Sequence, residues 1–159
     1  MQNLTSLRAL AALAPVIFVA HVAEEAPGFV AWINSHVTPD VSPSTFWQIN
    51  TTAFVITVVV SAVAWLDGSG VSGVAMAGWI SFLMGANAFV HIGGAMVDRG
   101  YVPGLVSAVL LYLPFCALVF WRVKRNGSST GVLLVSAVVG AFPMLVHGYR
   151  ILFLGARLF

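Results

Sequence analysis

The chain has 159 residues, enough for one domain of modest size. Apolar residues make up 60% of it and charged residues 8%, with a net charge of +2, and the mean hydropathy is +0.98. A soluble domain carries roughly 25% charged residues, so the composition excludes a soluble globular enzyme, a disordered tail and a nucleic-acid module with a basic stripe. What remains is a multi-pass membrane protein.

Spanning a bilayer takes about 20 apolar residues, and five stretches qualify. The first runs from about Leu4 to Glu25 and is stopped by Pro27-Gly28. Arg8 ahead of an apolar run resembles a secretory signal, but Phe18 and His21 fall where a cleavage site needs small residues. The segment therefore reads as a retained membrane helix. Pro27 to Pro43 is less hydrophobic and carries Phe29, Trp32, Asn34, His36 and Asp40. Aromatics at such a place suggest an interfacial loop or short surface helix, either a lid on a cavity or a plain connection.

The second span runs from about Thr45 to Leu66 and ends at Asp67-Gly68-Ser69-Gly70. The third, about Val71 to Val97, ends at Asp98-Arg99-Gly100. It is rich in small residues (Gly73, Ala77, Gly78, Ser81, Gly85, Ala88, Gly93, Gly94), which let helices approach closely and predict a central place for it. The fourth runs from Pro103-Gly104 to about Trp121, before Arg122, Lys124 and Arg125, and the fifth from about Gly131 to Leu154. The runs are continuous, without the alternation of a membrane β-barrel, and an open chain in lipid satisfies its own backbone as helix. The expected fold is all-α: one domain, a five-helix transmembrane bundle with a short interfacial segment between the first two spans. Arg8, Arg122, Lys124 and Arg125 would share one side, with Arg99 and Arg157 on the other. The positive-inside bias then predicts a cytoplasmic membrane protein with its N-terminus in the cytoplasm and its C-terminus outside. Cys116 is the lone cysteine, so neither an intramolecular disulfide nor a Cys-rich metal site can form.

Ionisable groups inside a membrane are costly, yet the spans contain His21, Glu24, Glu25, His91, His147 and Arg150, with Asn50 and Asn87 as uncharged companions. At 1.5 Å per residue, His21, Asn50 and His147 lie about 24–25 Å, and His91 about 27 Å, from the cytoplasmic ends of their helices. Four helices thus bring polar groups to one level. His21, Glu24 and Glu25 are spaced i, i+3, i+4 on one helix face; Asn87 and His91 are i, i+4; His147 and Arg150 are i, i+3. The plain alternative for each His or Asn is an interhelical hydrogen bond, and for the two glutamates solvation at the helix end. Tyr112, Trp65, Trp79 and Trp121 read as packing residues or interface anchors, and His36 as a loop residue without a special role.

His21-Val22-Ala23-Glu24-Glu25, continued by Pro27-Gly28-Phe29 and Trp32, resembles the HXXEE family of small bacterial membrane proteins. Asn87-Ala88-Phe89-Val90-His91, then Tyr101-Val102-Pro103-Gly104 and Leu113-Pro114, extend the similarity to about Pro114. The resemblance implies a membrane location and importance of His21, Glu24, Glu25, Asn87 and His91. It brings no activity with it.

Neutral imidazoles and carboxylates are good ligands for zinc or iron. His21, His91 and His147 with Glu24 or Glu25 supply three or four ligands, and the second glutamate could be a general base. Asn87 would serve as an oxyanion donor or outer support, Asn50 as an outer support of the ligands, and Arg150 as a clamp for an anionic group. The leading expectation is an intramembrane zinc or iron enzyme acting on a lipid-like or small-molecule substrate near the outer leaflet. Two alternatives stand beside it: a metal-free His/Glu acid–base isomerase of an apolar substrate, and a non-enzymatic proton or metal-ion transporter or binding protein. No nucleotide-binding loop is present, so neither a nucleotide cofactor nor a nucleic-acid partner is expected. A homodimer is compatible with the composition.

Overall fold

A computed structural model describes residues 6–36 and 41–154; Asp40 and Arg157 lie outside them. Its helices are α1 (Leu7–Glu25), the short α2 (Phe29–Asn34), α3 (Pro43–Asp67), α4 (Gly70–Asp98), α5 (Leu105–Arg125) and α6 (Thr130–Leu154). All but α2 are long and apolar enough to cross a membrane, which makes the fold compatible with a multi-pass membrane protein. The short helix falls where the sequence loses hydrophobicity and gathers aromatics.

Local signals set the helix ends. Ser6, Ser42 and Ser69 accept hydrogen bonds from the backbone N–H of Ala9, Thr45 and Ser72 at 3.1, 3.1 and 3.3 Å, satisfying donors left free in each first turn. Pro43 opens α3, where a missing N–H costs nothing. Helix α5 runs beyond Trp121 and carries Arg122, Lys124 and Arg125 in its last turn. Their cationic heads suit the negative end of the helix dipole, and their aliphatic stems cover apolar surface.

Helix α4 packs against α3, α5 and α6, while α1 packs against α3 and α5. The core between them is apolar, with Leu10 and Phe18 of α1, Met76, Ile80 and Met84 of α4, and Val119 of α5 nearly or fully buried. Polar contacts stitch the seams. Trp79 Nε1 donates to Thr57 Oγ1 across α4 and α3 at 3.0 Å, and Ser136 Oγ donates to the Val74 carbonyl across α6 and α4 at 3.0 Å. The outward faces of α3 and α6 carry Val55, Val59 and Val63, and Val135, Val139 and Phe142, all exposed. Such faces are stable against lipid tails rather than water.

Two helices depart from the α repeat. Ser81–Ala86 in α4 and Ala108–Tyr112 in α5 form wider π-type turns, and the two turns touch one another. A turn of this kind holds one extra residue, so everything after it is rotated by about 100° relative to an unbroken helix.

Close approach of α4 and α6 depends on two glycines. A Cβ at Gly140 would meet the Gly78 carbonyl carbon at 3.0 Å and its oxygen closer still, whereas one at Gly131, near the start of the same helix, would meet nothing within 4 Å. Gly140→Ala is expected to lower stability by about 1–3 kcal/mol, the usual cost of overpacking, and Gly131→Ala to leave it unchanged or slightly raised. Denaturation midpoints of the two variants in one detergent test this; equal midpoints would contradict the packing described.

Candidate functional site: a buried His–Glu–His cluster

The site starts at the end of α1. His21, Glu24 and Glu25 share one broad face, but consecutive residues on a helix diverge by about 100°, so the two glutamates meet different neighbours. Glu24 turns to the start of α5. One carboxylate oxygen accepts from the Tyr101 hydroxyl at 2.8 Å and the Val106 N–H at 3.0 Å, and the other accepts from the Ser107 N–H at 2.7 Å. A carboxylate on the free N–H groups of a first turn also suits the positive end of that helix. Tyr101 lies outside the spans. Desolvation, and after it the hydrogen bond to Glu24, raises its pKa above the ordinary phenol value, so it remains a donor.

Glu25 turns inward and is buried, as are His21 and His91. Glu25 Oε1 lies 3.0 Å from His91 Nε2 and 3.4 Å from His21 Nε2. The imidazole rings of His21 and His91 meet edge to face at 5.0 Å. One ligand atom from each of the three residues falls within 4.8 Å of the others. Two donors bound at about 2.0–2.1 Å to one tetrahedral ion stand about 3.3–3.4 Å apart, which the His21 separation matches and the His91 separation falls short of.

Ser107 sets the state of His21. Its hydroxyl donates to the Gly104 carbonyl at 3.3 Å, which leaves its oxygen to accept from His21 Nδ1–H at 2.8 Å. Nε2 then faces Glu25 Oε1 at 3.4 Å, too far for a well-formed hydrogen bond. An imidazole held through its far nitrogen is the arrangement that orients metal-binding histidines. Gly104 floors the site. Its φ of +90° suits glycine, and a Cβ there would sit 2.8–2.9 Å from side-chain carbons of Glu25, His91 and His21 together. Tyr112, fully buried, lays its ring on His21 at 4.2 Å. The Tyr112 hydroxyl, His91 Nδ1 and Asn87 Oδ1 are also buried without partners, and buried polar groups in that condition are rare in proteins.

In front of Glu25 and His91 lies a cavity of about 180 Å³ between α2, α3, α4 and α6. Asn50, Asn87 and His147 line it along with Phe29, Trp32 and Phe46. The structure therefore brings His21, Glu25 and His91 into one three-donor set and puts Asn50, Asn87 and His147 on the cavity wall. His147 stands outside the three-donor set, Glu24 caps α5, and Arg150 is exposed and does not line the cavity.

The cover of the cavity is anchored at its edge. Trp32 Nε1 donates to Asp98 Oδ2 at 2.6 Å and His36 Nε2 lies 3.0 Å from Asp98 Oδ1, fastening α2 to the end of α4. His36, a plain loop residue by sequence, thus holds a defined place.

A bundle of membrane-length helices with a buried imidazole–carboxylate cluster and an adjoining apolar cavity is the architecture compatible with a small multi-pass membrane protein holding an internal polar site. The chain belongs to the family described as "Protein of unknown function with HXXEE motif", whose model matches residues 12–119. That stretch contains the whole three-donor set with Ser107 and Tyr112, and ends before α6. No curated protein and no solved structure matches the chain.

The sequence does not point to Ser107, marks Tyr112 only as a packing residue or interface anchor, and places Gly104 only at the start of the fourth span. Ser107 is one serine among many, and Tyr112 sits in an apolar run. Only Gly104 carried a signal, as a glycine directly after a proline at a helix start.

Glu24→Gln keeps one acceptor oxygen of two and loses the charge at the start of α5. It is expected to cost about 0.5–2 kcal/mol, the usual range for a lost helix cap. Chemical denaturation of the detergent-solubilised protein measures it, and wild-type stability in this variant would refute the capping role.

Proposed function

We propose that His21, Glu25 and His91 form a divalent-metal centre, for zinc or iron, in an intramembrane enzyme acting on a lipid-like or small-molecule substrate. The observation that carries this reading is the convergence of one ligand atom each from His21, Glu25 and His91 within 4.8 Å in an apolar interior, with the His21 ring held through its far nitrogen by Ser107. A buried carboxylate must be matched by positive charge or by hydrogen bonds, and a cation held by the three donors would supply the charge. Two imidazoles and one carboxylate are the donor set of both zinc hydrolases and non-haem iron sites. When bound, such an ion supplies Lewis acidity toward a carbonyl or phosphoryl oxygen.

The chain's own residues do the rest. Ser107 fixes the His21 ring, Gly104 lets the three side chains close against bare backbone, and the apolar walls keep water out, which strengthens every electrostatic contact inside. Glu25 and His91 front the cavity while His21 does not, so a substrate group meets the centre from the cavity side. Asn87 and His147 on the wall can orient that group or move a proton. A metal-free acid–base site is the second reading, favoured by the 3.0 Å contact of His91 Nε2 with Glu25, which is hydrogen-bond length. Transport fits less well, because the opposite half of the core is closed by Leu10, Ile80, Val119 and Val123.

Elemental analysis of wild type and His91→Ala, purified side by side, separates these readings. The metal centre predicts about one ion per chain in wild type and a loss of affinity of about 100-fold or more in the variant, since a ligand is removed outright. Metal-free wild type that stays active through chelation would overturn it in favour of proton transfer by Glu25 and the histidines.

We further infer a cytoplasmic-membrane location with the N-terminus inside, from Arg8, Arg122, Lys124 and Arg125 at one end of the bundle. A cysteine placed at Ser128 should resist impermeant thiol reagents in intact cells and react after permeabilisation. Ready labelling of intact cells would invert the topology.

A further inference from the structure

The cavity is wide enough for a small head group and the first part of a chain: about 180 Å³, where an apolar cavity of roughly 150 Å³ admits benzene. Two features of its walls narrow the choice of occupant. The first is where it opens. Thr45, Phe46, Ile49 and Asn50 of α3 form one wall and Met144, His147, Gly148 and Ile151 of α6 another. Helix α3 packs on α1 and α4, and α6 packs mainly on α4; among the described residues α3 and α6 share no packed seam. Ile49 lines the cavity and is also 54% exposed, so the wall reaches the outer surface of the bundle at that gap. The flanking surface is apolar, with Trp47 on α3 and Leu145 and Val146 on α6 exposed. The gap therefore faces the lipid-compatible side of the molecule.

The second feature is charge. Among the described residues no lysine or arginine lines the cavity, and Arg150, one turn from His147, is exposed. Glu25 is the sole carboxylate among the described residues of the lining, and its Oε1 is shared by His21 and His91. Besides the His147 imidazole, the polar groups left to meet a ligand are the uncharged carboxamides of Asn50 and Asn87. The Asn87 side-chain oxygen is buried without a partner, and Asn50 donates its N–H to the Phe46 carbonyl at 3.0 Å, leaving its oxygen to accept. Carboxamides of this kind match hydroxyl, amide or ester groups; an anionic head beyond the three-donor set would be buried without a side-chain cation, which is costly.

We propose that the cavity takes an uncharged single-chain amphiphile, a long-chain alcohol, amide or ester, entering sideways from the bilayer between α3 and α6. Its head lies against Asn87, His91 and Glu25, and its chain passes Phe46, Ile49 and Ile151 into the lipid. The proposal rests on the metal-centre reading for what happens to the head group, and on the cavity alone for binding.

The test uses the full chain in phosphatidylcholine nanodiscs, once metal-loaded and once chelator-treated. The probes are photoreactive twelve-carbon chains ending in an alcohol, an amide, a carboxylate or a trimethylammonium group. The alcohol and amide probes should label the peptides holding Ile49 and Met144–Ile151 saturably, with competition by the unmodified compounds. Asn50→Leu, which removes a side chain bonded only within its own helix, should weaken that labelling by about tenfold, the worth of one good hydrogen bond. Ile49→Trp, which crowds the opening from an exposed position, should block it without altering metal content. Stronger labelling by the carboxylate or ammonium probe would overturn the proposal. So would non-saturable labelling spread over all lipid-facing helices, or saturable labelling that both variants leave intact. Saturable alcohol labelling of a protein that binds no metal would refute the metal centre and leave this proposal standing; a metal-binding protein without such labelling would do the reverse.

Discussion

A carboxylate sealed inside an apolar bundle has to be matched by positive charge or by hydrogen bonds. In this protein the match for Glu25 comes from two imidazoles, one a turn earlier on α1 and one from α4. The surrounding architecture serves that meeting. Gly104 withholds a side chain so that all three groups can close on the backbone at the start of α5. Ser107 reaches back from the same turn to hold His21 from behind, and Tyr112 closes the site on the side of the core.

The neighbouring Glu24 does structural work of a different kind. Its carboxylate ties the end of α1 to the beginning of α5, which is also where Gly104 and Ser107 sit. The position of the His21 partner is therefore referenced to α1 itself, through one residue next to the buried Glu25. The chain then turns at Pro27 and lays α2 over the cavity, fastened at the far edge by Trp32 and His36 on Asp98. Five residues at the end of one helix thus set the cluster, the start of a second helix and the origin of the cover.

The sequence makes some of this legible and hides the rest for physical reasons. Hydropathy reveals the five long helices because lipid demands long apolar runs. The spacing of His21, Glu24 and Glu25 reveals a shared face, but spacing within one helix is silent about what stands opposite, so the capping role of Glu24 stays hidden. Depth along a helix axis fixes height without fixing azimuth. That is why Arg150 shares the level of the cluster and is nevertheless exposed, and why His147 reaches the cavity wall and not the three-donor set. The π-type turns are invisible to any reading that assumes a constant repeat, and they lie directly before Asn87 in α4 and before Leu113 in α5.

Those two turns impose an asymmetry on how the protein can change. A π-type turn is in effect a helix with one residue inserted, and loss of that residue restores the regular repeat. In α4 the restored helix would swing Asn87 and His91 through about 100°, away from Glu25, while leaving every residue's chemistry intact. Inherited single-codon deletions between Ser81 and Ala86 would thus abolish the cluster as surely as replacing the histidine. The same deletion in the first half of α6 would leave the three-donor set on its own helices, but it would turn Ser136 and Gly140 away from Val74 and Gly78 and rotate the cavity wall that follows. Drift in this gene is therefore freer in spelling than in length along α4 and α5, where the wide turns decide which residues reach the cluster.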